Sequence, residues 1–246
     1  MKLFGIRASL QQAWHIFKKD WKFLLPFTLG SLIVIYILAA MYEAAFSRSA
    51  LLGIIVYIIY MIGVFAITIA NIRVALAAVD GKELHWDLVK STPSEWLRFI
   101  KVSLWKMIYS LKYILMAILP GIIVLIISAF VESEAVVLIG SFLLGIGLIL
   151  SLVYTSLRYV FATYVMVDRP QITSTRAVVK RSAELVTGSY GRILLLSFAM
   201  MLVIIVGMIC LIVGVIPAMI VVSLANALVY RKLDAHHAHQ APAQEA

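Results

Sequence analysis

The chain's most constraining feature is a series of apolar runs that are too long for the core of a soluble domain. Hydrophobic residues make up 63% of its 246 residues and charged residues only 13%, against about half and a quarter in soluble domains. A helix crosses the roughly 30 Å hydrocarbon core of a bilayer in about 20 residues and satisfies its own backbone hydrogen bonds there. The runs cover residues 23–42, 51–79, 109–131, 135–167 and 193–230. We therefore predict an all-α membrane protein.

The last run, residues 193–230, is nearly twice as long as one crossing requires. Gly214 and Pro217 mark the natural point of reversal, because glycine tolerates turn geometry and proline lacks the amide that would continue a helix. The run then supplies two spans, and the chain about six transmembrane helices in three hairpins. The alternative is a single tilted and kinked helix, which would place the C-terminus on the opposite side of the membrane.

The distribution of positive charge predicts the orientation. All but three of the 21 Lys and Arg residues lie in residues 1–22, 80–112, 168–192 and 231–232, on one side of the predicted spans. Positive residues near span ends resist translocation, so we expect both termini to be cytoplasmic. The net charge of +9 is thus explained by the membrane, and no nucleic-acid partner is expected.

Each hairpin is preceded by a segment with the helical spacing of an amphipathic helix. In the first, Leu10, Trp14 and Phe17 share one face; the second covers about residues 95–106, and the third runs from about 173 to 186. We expect these helices to lie in the headgroup layer. We predict one membrane domain, residues 1–233. Alignment of the three segments suggests that this domain consists of three copies of one unit, 1–79, 80–168 and 169–233. The alternative is that apolar helices align by chance. Residues 234–246 form a His/Ala/Gln-rich tail that we expect to be disordered.

Residues 157–168, LRYVFATYVMVD, are followed by Ala177, Ser182, Leu185 and Gly188 before the next span. This pattern resembles a group of bacterial membrane proteins that includes the YciC-like inner-membrane proteins and the membrane domain attached to some glycerophosphodiester phosphodiesterases. The resemblance implies a multi-pass protein of the bacterial cytoplasmic (inner) membrane. It implies no activity, because catalysis in the phosphodiesterase fusions belongs to a separate soluble barrel.

Two arginines within the apolar runs are the most informative polar side chains. An arginine inside a span costs at least about 2.5 kcal/mol unless it snorkels, pairs or faces water. The two occupy comparable places in the second helices of the first two hairpins, and the third hairpin carries an asparagine at that register. One hypothesis is an intramembrane polar cluster that binds a lipid phosphate. Its residues are Asn71, Arg73, Ser156, Arg158 and Asn226.

The alternative hypothesis for these arginines is structural. Arg73 and Arg158 would each reach the interface or pair with a nearby carboxylate, for which Asp80 and Asp168 are the obvious partners. No acidic residue lies deep in any predicted span, which argues against a proton-coupled carrier but not against a facilitator.

Other motifs carry little chemistry. His236, His237 and His239 are weak candidates for a divalent metal in the predicted tail, and no cofactor is expected. No combination of nucleophile, base and orienting group occurs in any hydrophilic segment. We therefore predict a non-enzymatic membrane protein that binds anionic lipid or organises partner proteins at the cytoplasmic leaflet. The alternative is a small transporter or channel.

Overall fold

The computed structural model describes residues 5–131, 133–210 and 214–240. These residues form helices joined by short connections, with one 3₁₀ turn at Trp86–Val89 and no strand. The helices are α1 (Ile6–Phe46), α2 (Ala50–Val79), α3 (Pro93–Val131), α4 (Glu134–Arg158), α5 (Ala162–Asp168), α6 (Thr175–Val186), α7 (Tyr190–Ile209) and α8 (Val215–Gln240). Among these residues, six stretches are long and apolar enough to cross a bilayer: α1, α2, α3, α4 together with α5, α7 and α8. The prediction of an all-α membrane protein with about six spans is confirmed.

The spans pair as consecutive hairpins. Residues 47–49 connect α1 to α2, and residues 132–133 connect α3 to α4. The last apolar run does fold back: α7 ends at Ile209, α8 begins at Val215, and Pro217 lies in the first turn of α8, where its missing N–H leaves no hydrogen bond unmade. The single kinked helix is thereby excluded. Residues 132 and 211–213 lie outside the described residues.

Glycines allow α3 and α4 to approach closely. A Cβ on Gly147 would lie 2.3 Å from the carbonyl oxygen of Ala117, and a Cβ on Gly121 would lie 2.5 Å from the backbone nitrogen of Leu144. Both distances are far below van der Waals contact, so a side chain at either position would force the helices apart. Small residues at such crossings let transmembrane helices approach closely and gain van der Waals contacts. These contacts matter because no hydrophobic driving force brings helices together in lipid.

Replacing Gly147 by alanine is expected to lower the free energy of unfolding by about 1–3 kcal/mol, because the added methyl group overpacks the contact with α3. Gly145 is the matched control on the same helix, since a Cβ there meets no atom within 4 Å. Gly145→Ala should leave stability unchanged or raise it slightly through better helix propensity. Reversible unfolding of the two variants in mixed micelles measures the difference, and equal stabilities would contradict the close contact.

The amphipathic segments differ from one another in the structure. Those of the first two hairpins continue directly into spans as parts of α1 and α3, and α1 bends at Asp20, whose backbone leaves the helical region. The third, α6, is a separate helix, and its apolar side chains Val178, Val179 and Leu185 are completely buried. Its apolar face therefore packs against α3 and α5 of the protein, and is not free to insert among lipid headgroups as we expected from the sequence.

The two ends of the described chain lie at the same end of the bundle, which we call the basic end. It comprises the start of α1, the last turns of α2, α5 and α8, the first turns of α3, and α6. Lys232 of α8 donates from Nζ to Ser9 Oγ and Gln12 Oε1 of α1, at 3.4 and 3.3 Å. The basic end therefore gathers the segments that the sequence places on one side of the membrane.

Helix α8 continues ten residues past the apolar run, which ends at residue 230. It ends at Gln240, so residues 234–240 are helical, and the prediction of a disordered tail is wrong for them. Asp234 binds both Arg169 and Arg181 and so docks this part of α8 onto the basic end. Residues 241–246 of the predicted tail lie outside the described residues. The threefold repetition stays a prediction.

Candidate functional site

The residues of the predicted polar cluster do not come together. Arg73 lies on one cavity at the basic end and Arg158 on another, and the two cavities share no lining residue. Asn71 lines a third cavity inside the bundle and donates to the carbonyl oxygen of Ile67 on its own helix. Ser156 is exposed and bonds within α4, and Asn226 is partly buried on α8. The five polar side chains therefore do not form one site.

Arg73 is neutralised and has a structural role. Its guanidinium pairs with the carboxylate of Glu95 at the start of α3, and it also donates to the carbonyl oxygen of Lys90. Glu95 in turn accepts from the backbone N–H of Thr92 at 2.9 Å. Pairing with a carboxylate was correctly expected for Arg73, but the partner is Glu95 and neither Asp80 nor Asp168.

Arg158, the last residue of α4, is held by aromatic side chains. Its Nη1 donates to the hydroxyls of Tyr154 and Tyr190 at 2.5 and 3.1 Å, and its guanidinium carbon lies 5.3 Å from the ring centre of Tyr113. None of the ion pairs in the described part of the chain involves Arg158. The tyrosines position this guanidinium and leave its positive charge without a carboxylate counter-ion.

Arg158 faces a cavity of about 500 Å³ between α3, α4 and α6, which we call the basic cavity. Three cations line it, and no carboxylate does. The lining side chains that matter here are Tyr109, Tyr113, Arg158, Tyr159, Arg176 and Lys180.

The other two cations of the basic cavity come from α6. Arg176 and Lys180 are four residues apart and therefore lie on one face of that helix. The guanidinium of Arg176 stacks over Trp105 of α3, 4.0 Å from its ring centre. Stacking orients an arginine without neutralising it, so its N–H groups stay available for an anion.

The basic cavity therefore has the chemistry of an anion site at the membrane surface. Guanidinium and ammonium groups bind phosphate through charge-assisted hydrogen bonds, and tyrosine rings are favoured where apolar chains meet headgroups. Arg158 is the last residue of α4, within the span that α4 and α5 form together, and α6 follows α5 in the chain. A phosphate in this cavity would thus lie at the basic end of the bundle.

A network of ion pairs at the basic end connects α8 to α6 and to the ends of α2 and α5. Arg231 of α8 donates to both carboxylate oxygens of Asp80 at 2.8 and 2.6 Å, and its other nitrogen lies 2.7 Å from Asp168. Asp234 binds Arg169 at 2.6 Å and Arg181 at 3.4 Å. The hydrogen bond from Arg169 to Asp234 raises the pKa of Arg169, so its guanidinium stays charged.

Arg98 fixes the segment that leads into α6. Its Nη2 donates to the carbonyl oxygens of Arg169 and Ile172 at 3.1 and 2.6 Å, and its Nη1 donates to that of Pro170 at 3.2 Å. One side chain thus satisfies three backbone acceptors of the connection between α5 and α6. Because α6 carries Arg176 and Lys180, Arg98 positions two cations of the basic cavity.

Sequence reasoning found Arg158 but missed the rest of the basic cavity. The spacing of Arg176 and Lys180 was an available signal, since residues four apart project from one face of α6. The tyrosines carried no such signal, because aromatic residues near span ends are common in membrane proteins.

The histidines at the end of α8 do not assemble a metal site in the described part of the chain. The rings of His236 and His237 are 6.0 Å apart, and the side chain of His239 lies outside the described residues. No group of three or more His, Cys, Asp or Glu side chains placed to hold a metal ion occurs among the residues that the structure describes.

Comparison with known proteins identifies no relative of the chain. No family model matches the chain, and no curated protein or solved structure resembles it at a significant level.

Proposed function

We propose that this membrane protein binds an anionic phospholipid headgroup in its basic cavity, at the cytoplasmic leaflet of a bacterial inner membrane. In this proposal both termini are cytoplasmic, as the distribution of positive charge favours, and the protein catalyses no reaction. The proposal is compatible with membership of the YciC-like group, whose members largely lack an assigned activity.

The observation that carries the proposal is the unbalanced charge of the basic cavity. Arg158, Arg176 and Lys180 contribute three positive charges, and no acidic side chain lines the cavity. Three cations sharing one cavity repel one another, and a phosphate relieves that repulsion while accepting several hydrogen bonds. The net positive charge favours a headgroup that carries only a phosphate over one that adds an ammonium group.

The centre of the proposed site is Arg158 alone, and not the pair of Arg73 and Arg158 that the sequence suggested. Its tyrosine partners hold the guanidinium in one position before any ligand arrives, which reduces the entropy lost on binding. Arg73 is excluded from the proposed site because Glu95 already neutralises it.

Retention of lipid by the purified protein tests the proposal. Arg158→Ala, Arg176→Ala and Lys180→Ala are each expected to lower the affinity for phosphatidylglycerol about tenfold, the effect of losing about 1.4 kcal/mol of a charge-assisted contact. Native mass spectrometry after titration with phosphatidylglycerol measures the bound fraction, and phosphatidylethanolamine is the reference lipid.

Lys18→Ala is the matched control for these variants. Lys18 is an exposed lysine on α1 at the same basic end, it does not line the basic cavity, and its removal changes the net charge equally. Unchanged phosphatidylglycerol binding in all three cavity variants would reject the site. Inorganic phosphate distinguishes a lipid from a soluble anion: phosphate that displaces lipid only at high millimolar concentration supports a lipid ligand, whereas tight binding of phosphate alone would overturn it.

A further inference from the structure

The third cavity, which Asn71 lines, lies within the membrane-spanning part of the bundle, between α1, α2 and α8. Its volume is about 210 Å³, and we call it the intramembrane cavity. Asn71, one of its lining residues, is nine residues before Asp80, which places it about 14 Å along α2 from the basic end. The intramembrane cavity shares no residue with the basic cavity.

Polar side chains from three different spans meet in this cavity. Thr28 and Ser31 come from α1, Asn71 from α2 and Ser223 from α8. None of its lining residues is charged. A polar group surrounded by hydrocarbon is unfavourable unless it has hydrogen-bond partners, and a convergence of four such groups needs an explanation.

The hydrogen bonds within the protein satisfy only part of this polar lining. Ser31 Oγ donates to the carbonyl oxygen of Phe27 at 2.8 Å, and Asn71 Nδ2 donates to that of Ile67 at 3.0 Å. The hydroxyl of Ser223 interacts with that of Tyr164. A hydroxyl that has donated its only proton keeps its lone pairs, and the asparagine side chain keeps its carbonyl oxygen and a second N–H. The cavity therefore offers both donors and acceptors, and its natural occupants are small molecules that can donate and accept hydrogen bonds.

We propose that the intramembrane cavity is a water-filled site that admits small, neutral, hydrogen-bonding solutes. Water satisfies scattered buried polar groups when a cavity is roomy enough, and each molecule takes about 30 Å³ of liquid volume. A charged solute is disfavoured, because the lining supplies no counter-ion to offset the loss of hydration. Such a site is what a facilitator for small neutral molecules would need, and it is independent of lipid binding in the basic cavity.

Cysteine reactivity tests this proposal, since only the thiolate reacts and a dry apolar environment suppresses ionisation. Ser31→Cys and Ser223→Cys are each made in a Cys210→Ala background and reconstituted in liposomes. The probe is 2-hydroxyethyl methanethiosulfonate, which is small and uncharged. Ile33→Cys is the matched control: it lies two residues from Ser31 at nearly the same depth, but its side chain is 57% exposed on the outside of the bundle, where it faces lipid.

We expect Ser31→Cys and Ser223→Cys to react at least about tenfold faster than Ile33→Cys, the effect of one unit of thiol pKa. We also expect both to react far more slowly with the 2-(trimethylammonium)ethyl analogue, which carries a fixed positive charge. Rates at both positions as slow as that of Ile33→Cys would overturn the water-filled cavity. Equal rates with the neutral and the cationic reagent would overturn the selectivity for neutral solutes. Two positions on separate helices keep the test valid if one variant fails to fold.

Discussion

Replacing Arg231 by alanine is expected to lower the free energy of unfolding by about 3 kcal/mol. The change removes the cation that bridges Asp80 and Asp168, whose side chains are only 22% and 16% exposed. Among the described residues, Asp80 then keeps only Lys82, at 3.8 Å, and Asp168 the hydroxyl of Tyr230, at 2.9 Å. Removing one partner of a buried ion pair costs about 3–5 kcal/mol, mainly because the remaining charge is uncompensated. Because both carboxylates are partly exposed, we expect a loss at the lower end of this range. Reversible unfolding in mixed micelles measures the loss.

Compensating substitutions separate this electrostatic effect from lost packing. The triple variant Arg231→Met, Asp80→Asn and Asp168→Asn removes all three charges and should recover most of the stability, since a neutral cluster leaves no unpaired carboxylate. Lys90→Ala is the control for an exposed ion pair: Lys90 and Asp87 are about 80% exposed, and the variant should behave as wild type. A triple variant as unstable as Arg231→Ala would contradict the electrostatic explanation.

Arg98→Ala is expected to lower stability by about 2–3 kcal/mol and to loosen the segment that leads into α6. The side chain donates three hydrogen bonds to backbone carbonyls of residues 169–172, and bonds from a charged donor contribute about 1.5–3 kcal/mol each without adding in full. Hydrogen exchange should rise in residues 169–175. Retention of phosphatidylglycerol should fall as well, because α6 carries two cations of the basic cavity.

Two substitutions make this result specific. Arg98→Lys should give an intermediate loss, since an ammonium group cannot span three carbonyls as the planar guanidinium does. Lys101→Ala removes an exposed positive charge three residues further along α3 and should alter neither hydrogen exchange nor stability. Hydrogen exchange that rises equally in Lys101→Ala would show that Arg98 does not specifically fix this segment.

The six spans could be predicted from the sequence because one strong physical constraint produces them. Backbone groups in hydrocarbon must bond within their own helix, so the length of an apolar run is nearly sufficient evidence. The fold-back near Gly214 followed for the same reason, since residues 193–230 are too long for one crossing. The helical end of α8 could not be predicted in this way. Ion pairs of Asp234 dock this end onto the bundle, and its partners Arg169 and Arg181 are more than 50 residues away in the chain.

The candidate site shows where sequence reasoning fails in a membrane protein. Asn71–Arg73 and Ser156–Arg158 share a pattern, yet rotation and packing of their helices place Arg73 against Glu95 and Arg158 among tyrosines. Periodicity in a single sequence shows which residues share a helix face. It does not show which neighbouring helix that face contacts, because this depends on tertiary packing. The partners of Asp80 and Asp168 were missed for the same reason, because Arg231 is distant from both in the chain.

A high-resolution structure of the protein in nanodiscs of phosphatidylglycerol tests the occupied basic cavity most directly. We expect a lipid phosphate between α3, α4 and α6, within hydrogen-bonding distance of Arg158 and of Arg176 or Lys180, with the acyl chains of that lipid directed toward the surrounding bilayer. A cavity that holds only water while ordered lipid headgroups lie elsewhere on the protein would contradict it.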